Sequence, residues 1–253
     1  MIHNYFIGHK PFELPENVDG EIIQVGSGPR FSELRDNTGD QISDKNPNYC
    51  ELTALYWIWK NECPKMKADD LISINHYRRW FKELKNPENI MSALSEADII
   101  LPEFEPYRES VYEQYCVESG FGKDLDRVRE IISELYPDDV RYFDQVMEKG
   151  GIHQYNMMIA ASKEFSDFCS WIFPILFELE KGLDLSGYND YQKRIYGFLS
   201  ERLLNVWAAS RSLKISPMKV IQPETSRIEQ LRLSARRIRN RLEFQRRSRK
   251  TAR

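Results

Sequence analysis

The ten residues "ISINHYRRWF", 72–81, join an apolar run to a titratable ring, two permanent cations and two flat apolar side chains. With Leu71 in front, "LISIN" has the length and β-branched content of a strand buried on both faces. "HYRRWF" then sits at the C-terminal end of that strand. The sequence on either side repeats the arrangement. "YFIG" (5–8) is a strand running into His9, Lys10 and Pro11, and "EIIQVG" (21–26) is a second one, closed by the turn-forming "GSGPR". "ADIILP" (97–102), "YNMMIA" (155–160) and "MKVIQP" (218–223) read as further strands.

Helices are predicted between them. The first covers 46–63, with Asn46 as N-cap, Pro47 at the first helical position, an apolar face of Leu52, Leu55, Tyr56 and Trp59, and Pro64 as the stop. Others span 109–118, 124–135, 138–149, 162–181 with a bend at Pro174, and 190–209 with the stripe Ile195, Phe198, Leu199, Leu203 and Val206. Strands separated by helices predict an α/β fold with one mixed, mostly parallel sheet flanked by helices. Ligands of such sheets collect beyond the carboxyl ends of the strands. His9 and Lys10, the turn beginning at Gly26, and residues 76–79 therefore share one rim.

The length of 253 residues suits one domain with an appendage. A hydrophobic share of 41%, with 12% aromatic residues, supports a packed core and excludes wholesale disorder. Charge is unevenly spread. Residues 223–253 carry eleven Lys or Arg against three Glu, a local +8, which leaves −11 on the 222 residues before them. Cys50, Cys63, Cys116 and Cys169 form no C-x-x-C pair and read as free thiols of a reducing cytoplasm. The opening "MIHNYFIGHK" lacks a basic region before a long apolar run, and no stretch reaches the roughly 18 apolar residues of a membrane span. A soluble cytoplasmic body is expected. There is no P-loop, G-x-S-x-G or H-E-x-x-H, so kinase and hydrolase readings find no motif.

At the rim, the guanidinium groups of Arg78 and Arg79 stay charged and fork onto phosphate through paired hydrogen bonds. Adjacent residues leaving a strand point in different directions, so one of the two is expected to face a ligand; a surface salt bridge is the competing reading. His76 reads as a metal ligand, a donor to phosphate or a structural ring. Tyr77, Trp80 and Phe81 supply wall or core, with one ring able to stack on a base or sugar. Asp36, Asp40 and Asp44 lie in a polar loop, a solvated turn or a source of metal ligands without EF-hand register. Asp124-Leu-Asp126 opens a helix, where acids suit the dipole. Glu51 and Lys60 flank the first helix off its apolar stripe. Asp190 and Glu201 bracket the late helix, about three turns apart, and either carboxylate is a candidate general base.

Six strings, "GHKPF" (8–12), "DNTGDQISDKNPNYCELTALYWIWKN" (36–61), "HYRRWF" (76–81), "DIILP" (98–102), "NMMIA" (156–160) and "GFLSERLLNVW" (197–207), together resemble the bacterial capsular polysaccharide glycosyltransferases long filed as a domain of unknown function. The resemblance covers roughly residues 2–220. It implies a single GT-A-like domain, placed here at 1–222, and leaves outside it the basic tail over 223–253 that the charge count marks. It also implies transfer from a nucleotide sugar, with some relatives associated with galactofuranose from the UDP sugar, in capsule, O-antigen or related surface-glycan assembly. Direct displacement with inversion is the mechanism expected, and the basic tail would suit a lipid-linked acceptor. Carried onto this chain, the donor site would comprise His9, Lys10, Gly26, Asp40, Asn46, Tyr49, Glu51, Lys60, His76, Tyr77, Arg78, Arg79 and Asn156, with Asp190 or Glu201 as base. Enzymes of this fold usually hold Mn2+ or Mg2+ with Asp-x-Asp at the end of the central strand. Here residues 76–79 occupy that place, so either arginine charge replaces the metal or His76 and Asp40 hold it.

In the tail, Ile228, Leu231, Ala235, Ile238 and Leu242 recur at three and four among arginines, the pattern of a basic amphipathic helix. An anionic membrane surface attracts such a helix by about 1 kcal/mol per cation, which fits a peripheral enzyme at the inner face of the cell membrane. Docking on the acidic body and a short coiled coil are the alternatives. RNA binding through the arginines is a rival reading, disfavoured because the body is acidic and carries no recognised nucleic-acid module. A non-catalytic sugar-binding or assembly protein is the other.

Overall fold

The computed structural model describes residues 1–223 and 225–251. The chain runs through β1 (Ile2–Gly8), β2 (Glu21–Gln24), β3 (Leu34–Arg35), α1 (Asn46–Tyr49), α2 (Leu52–Trp57), β4 (Leu71–His76), β5 (Trp80–Phe81), α3 (Pro87–Glu96), β6 (Ile99–Pro102) and β7 (Phe104–Pro106). It continues through α4 (Val111–Glu118), α5 (Gly122–Leu135), α6 (Val140–Glu148), β8 (Gly151–His153), β9 (Ile159–Ala161), α7 (Ser162–Gly182), α8 (Ile195–Ser210), β10 (Ile215–Met218), β11 (Val220–Ile221) and α9 (Arg227–Thr251). Seven strands form one sheet in the order β10-β6-β9-β4-β1-β2-β3. Only β9 runs antiparallel to its neighbours in it. This is the mixed, mostly parallel α/β sheet that the sequence predicts.

The order explains where a site can form. From β1 the chain steps outward to β2 and β3, then returns to place β4 on the other side of β1. Strand order reverses at β1, and a crevice opens beyond the carboxyl ends at such a point. All six residues of β4 are buried, because its two edges are taken by β1 and β9 and both faces are covered. Ile72 and Ile74 join the larger core with α2, α7 and α8, whereas Leu71 packs on the other face with Phe81 and Ile90. Each fully buried isoleucine contributes about 1.5–3 kcal/mol of transfer free energy.

Several local expectations change. The helix expected over 46–63 is broken: Cys50, at φ 53°, separates α1 from α2, and the segment Ile58–Glu62 widens into a π-turn. Asn46 is not an N-cap but donates from its side chain to Cys50 O at 2.8 Å. The expected strand 155–160 shrinks to β9 because Tyr155 and Asn156 adopt φ of 80° and 50°. The late helix begins at Ile195 rather than at 190, preceded by a 3-10 turn, Gln192–Arg194. α3 is a helix that the apolar pattern did not mark.

α9 lies against the body through ion pairs and a buried asparagine, with Phe244 set close to Gly150. Arg237 pairs with Glu105 and Glu103, Arg236 with Glu105 and Arg108 with Glu243. Asn240 is buried and donates to Pro106 O at 3.3 Å. The predicted apolar stripe points outward instead, with Ile228 66%, Leu231 72%, Ile238 65% and Leu242 50% exposed. Of the alternatives for the tail, docking on the acidic body is the one observed. Among the described residues no helix is long and apolar enough to cross a membrane.

Candidate active site

A cavity of about 460 Å³ opens where β1, β2 and β4 end, between His9, Arg78, Arg79, Glu51, Arg194 and Glu201. Its floor is the turn after β4. The His76 N–H donates to Arg79 O at 2.8 Å and the Arg79 N–H returns a bond to His76 O at 3.0 Å. Asn75 clamps the turn from behind, its Oδ1 accepting from the Phe81 N–H at 3.2 Å. Because the chain reverses here instead of continuing as a strand, both arginines line the cavity, not one. Arg78 stands exposed at the lip, while the Arg79 guanidinium lies 4.5 Å from the Tyr155 ring centroid. Among the described residues neither makes an ion pair, so the salt-bridge reading does not hold.

Tyr77 forms the outer wall. His9 meets it edge-on at 5.1 Å, and Lys10 Nζ lies 5.2 Å from its centroid. The fit needs Gly8, where a Cβ would stand 3.1 Å from Tyr77 Cβ and 2.7 Å from the Phe12 ring. The cations and burial act together on the two imidazoles. Burial pushes His76 down to about 4, with Arg79 and Arg78 adding to the effect and Glu51 opposing it. His9 is lowered by burial first and then by Lys10, Arg78 and Arg194. At neutral pH the His76 ring is uncharged. Among the described residues its Nε2 and Arg79 Nε are buried without a protein partner, as buried polar groups rarely are.

Two carboxylates close the opposite side. Glu51 Oε1 accepts from Asn156 Nδ2 at 2.7 Å, and the same amide donates to Gly197 O at 3.0 Å. Glu201 Oε1 accepts from the Tyr155 N–H at 3.1 Å, while Oε2 lies 3.2 Å from the buried Arg202. Burial raises the Glu201 pKa, Arg202 offsets part of this, and Glu51 raises it further. Arg194 and Glu201 lie on one side of α8 and its leading turn, separated by Gly197. A Cβ at Gly197 would stand 3.3 Å from Cys50 Sγ, so the glycine lets the two segments close up. Arg194 Nε donates to Cys50 Sγ at 3.2 Å. Burial raises the Cys50 thiol to about 11, so it remains protonated at neutral pH.

Cys50, Tyr155 and Asn156 are non-glycine residues with positive φ, all on or directly behind the cavity wall. Such conformations cost about 1–3 kcal/mol each and cluster at functional sites. Here they are held by the hydrogen bonds to Glu51, Glu201 and Asn46 given above.

A family profile described as a domain of unknown function, DUF4422, matches residues 4–212. The chain belongs to this family. No curated protein matches it. Among solved structures, the apo form of the bifunctional glycosyltransferase WbbM superposes with a TM-score of 0.78 at 27% identity over 87% of this chain. The chain spans 45% of that protein's length. The family match stops short of β10, β11 and α9.

Of the residues expected at the donor site, His9, Asn46, Glu51, His76, Tyr77, Arg78 and Arg79 line the cavity. Lys10 and Asn156 sit just behind it, and Gly26, at φ 79°, turns the chain beside Asn46. Others fall elsewhere. Tyr49 is core, stacked on Tyr196 at 4.2 Å with its hydroxyl on Glu180. Lys60 lies 3.6 Å from the Trp59 ring centroid, outside the cavity. Asp190 precedes the helix; its side chain is fully exposed and paired with Lys193 at 3.2 Å. Asp40 accepts from Tyr56 at 3.0 Å and does not join His76. Asp36 is buried away from the cavity, raised to about 6 by burial. Asp124 does open α5, as read, and binds the hydroxyls of Tyr115 and Tyr188. Among the described residues no group of three His, Cys, Asp or Glu is placed to hold a metal ion.

Cys50, Tyr155 and Arg194 escaped the sequence reading. Arg194 left one trace, a cation at the start of a helix where the dipole disfavours it. Tyr155-Asn156 left another, an asparagine tolerant of left-handed backbone just before a strand. Cys50 left none.

Proposed function

We propose that this chain is a nucleotide-sugar-dependent glycosyltransferase that transfers galactofuranose or galactose from UDP, with inversion, to a surface-glycan acceptor. The observation that carries it is the cavity itself: Arg78, Arg79 and Arg194 face Glu51 and Glu201 at a strand-order reversal. The likeness to WbbM supports the reaction class. Glu201 takes the proton from the acceptor hydroxyl as its oxygen bonds the anomeric carbon. The bond from that carbon to the diphosphate breaks on the opposite side. The leaving UDP collects the negative charge, which the guanidinium groups and the neutral His76 ring meet with fixed donors. A raised carboxylate pKa suits a base that works near neutrality. Three arginines supply the charge that a divalent ion supplies in other sugar-nucleotide sites.

The exposed stripe of α9 and its arginines support a peripheral position on an anionic membrane at the inner face, where a lipid-linked acceptor is found. The deciding experiment screens UDP-galactofuranose, UDP-galactose and other UDP-sugars for UDP release and transfer, with Mn2+ or with EDTA. Turnover of one donor that persists in EDTA is the expected result. Donor binding without turnover of any sugar would make the chain a sugar-nucleotide binder instead.

A further inference from the structure

A second cavity, about 580 Å³, lies between the segment Lys219 to Gln222 and the first turns of α9, which contribute Arg227, Gln230, Leu231 and Ser234. Tyr155 lines both cavities. On the first side its ring carries Arg79 and its N–H holds Glu201; on the second its hydroxyl accepts from Gln222 Nε2 at 3.4 Å. A hydroxyl held in the second cavity against Tyr155 is therefore directed at the residue that holds the general base. The lining suits a particular ligand. Gln222, Gln230 and Ser234 offer the mixed donors and acceptors that saccharide hydroxyls need. Lys219 and Arg227 are exposed cations with no ion pair among the described residues, in contrast to Arg237, which Glu105 already engages. Leu231 stands at the lip and also belongs to the outward apolar stripe.

We infer that this groove is the acceptor subsite and takes a saccharide joined through a diphosphate to a lipid. The sugar lies against Tyr155, the diphosphate between Lys219 and Arg227, and the lipid leaves over Leu231 along the stripe of α9. The assignment rests on the glycosyltransferase reading of the adjoining cavity and makes α9 part of the site.

Amide hydrogen exchange on the full chain tests it with two probes added separately: UDP, and galactose linked through a diphosphate to a decyl chain. UDP is expected to slow exchange around 76–79, and the lipid probe to slow 219–234 together with 155. The double variant Lys219→Glu/Arg227→Glu should weaken protection by the lipid probe roughly tenfold or more, while neutral octyl galactoside loses far less, since only the charged probe draws on the two cations. Protection confined to the outer face of α9 would mean surface adhesion only and overturn the subsite. So would equal losses for the charged and neutral probes, or no protection by the lipid probe. Absence of UDP protection at 76–79 counts separately against the donor cavity, because the two probes report on different peptides.

Discussion

Two arginine-rich segments use their charge in opposite ways. The turn after β4 points Arg78 and Arg79 into a cavity and, among the described residues, leaves both without an ion pair, set against the rings of Tyr77 and Tyr155. α9 turns Arg236 and Arg237 onto Glu103 and Glu105 and leaves Ile228, Leu231, Ile238 and Leu242 in solvent. A cation whose charge is already met holds structure together. A cation held by the fold without its counter-charge is available to a ligand, and the desolvation that half-buried Arg79 has already undergone strengthens that contact.

The largest effects should come from the inward segment and the base beside it. Glu201→Gln is expected to lower kcat by about 10²- to 10⁴-fold with little change in UDP affinity. A base works only when deprotonated, so the wild-type rate should fall as pH drops through the Glu201 pKa, which burial holds above the ordinary carboxylate value. That acid limb should vanish from the residual rate of the variant; a limb that stays assigns the base to another group. Next in size, Arg78→Ala/Arg79→Ala should weaken UDP binding by roughly 100-fold or more in calorimetry, two charge-assisted contacts being removed. Unchanged affinity would erase the contrast between the two segments.

The outward segment should respond in stability instead. Glu105→Gln removes the carboxylate that Arg236 and Arg237 share, and is expected to cost the docking of α9 about 1–2 kcal/mol. The arginines are a third to a half exposed, which keeps the value below that of a fully buried pair. Faster exchange and proteolysis within 227–246 would report it. The smallest effect belongs to Ile238→Ser/Leu242→Ser. Both side chains are exposed, so stability should move by less than about 0.5 kcal/mol, while sedimentation with anionic vesicles drops. A large loss of stability there would show that the stripe is covered within the protein.

The rim of the sheet is legible in the sequence because it depends on local signals. "LISIN", "YFIG" and "EIIQ" are strands by composition, and a strand end is a place that sequence order alone identifies. Arg78, Arg79, His76 and His9 follow from that directly. The second wall is legible only in part: Glu51 and Glu201 are candidates in the sequence, whereas Cys50, Tyr155 and Arg194 are not. Asp190 enters only by counting turns along a helix that in fact begins at Ile195, and such a count holds within regular structure but not across a loop. Tyr49 and Lys60 belong to a helix that Cys50 interrupts, which turns them away from the cavity. The stripe in the tail is real as a pattern but is not a buried face, because periodicity says which side chains share a face and not what that face meets.

The sequence by itself determined the strands β1, β2, β4 and β6, the α/β class and the cations at the strand ends, since these rest on composition and spacing within a few residues. The expected strand 218–223 is instead split between the end of β10 and β11. Tertiary structure alone decided that Glu51, Glu201, Arg194 and Tyr155 join those cations, and that α9 shows its apolar side to solvent. Those outcomes depend on three backbone conformations that the residues do not favour locally and on charge pairs between distant segments. Long-range contacts select such states only after the chain has closed on itself.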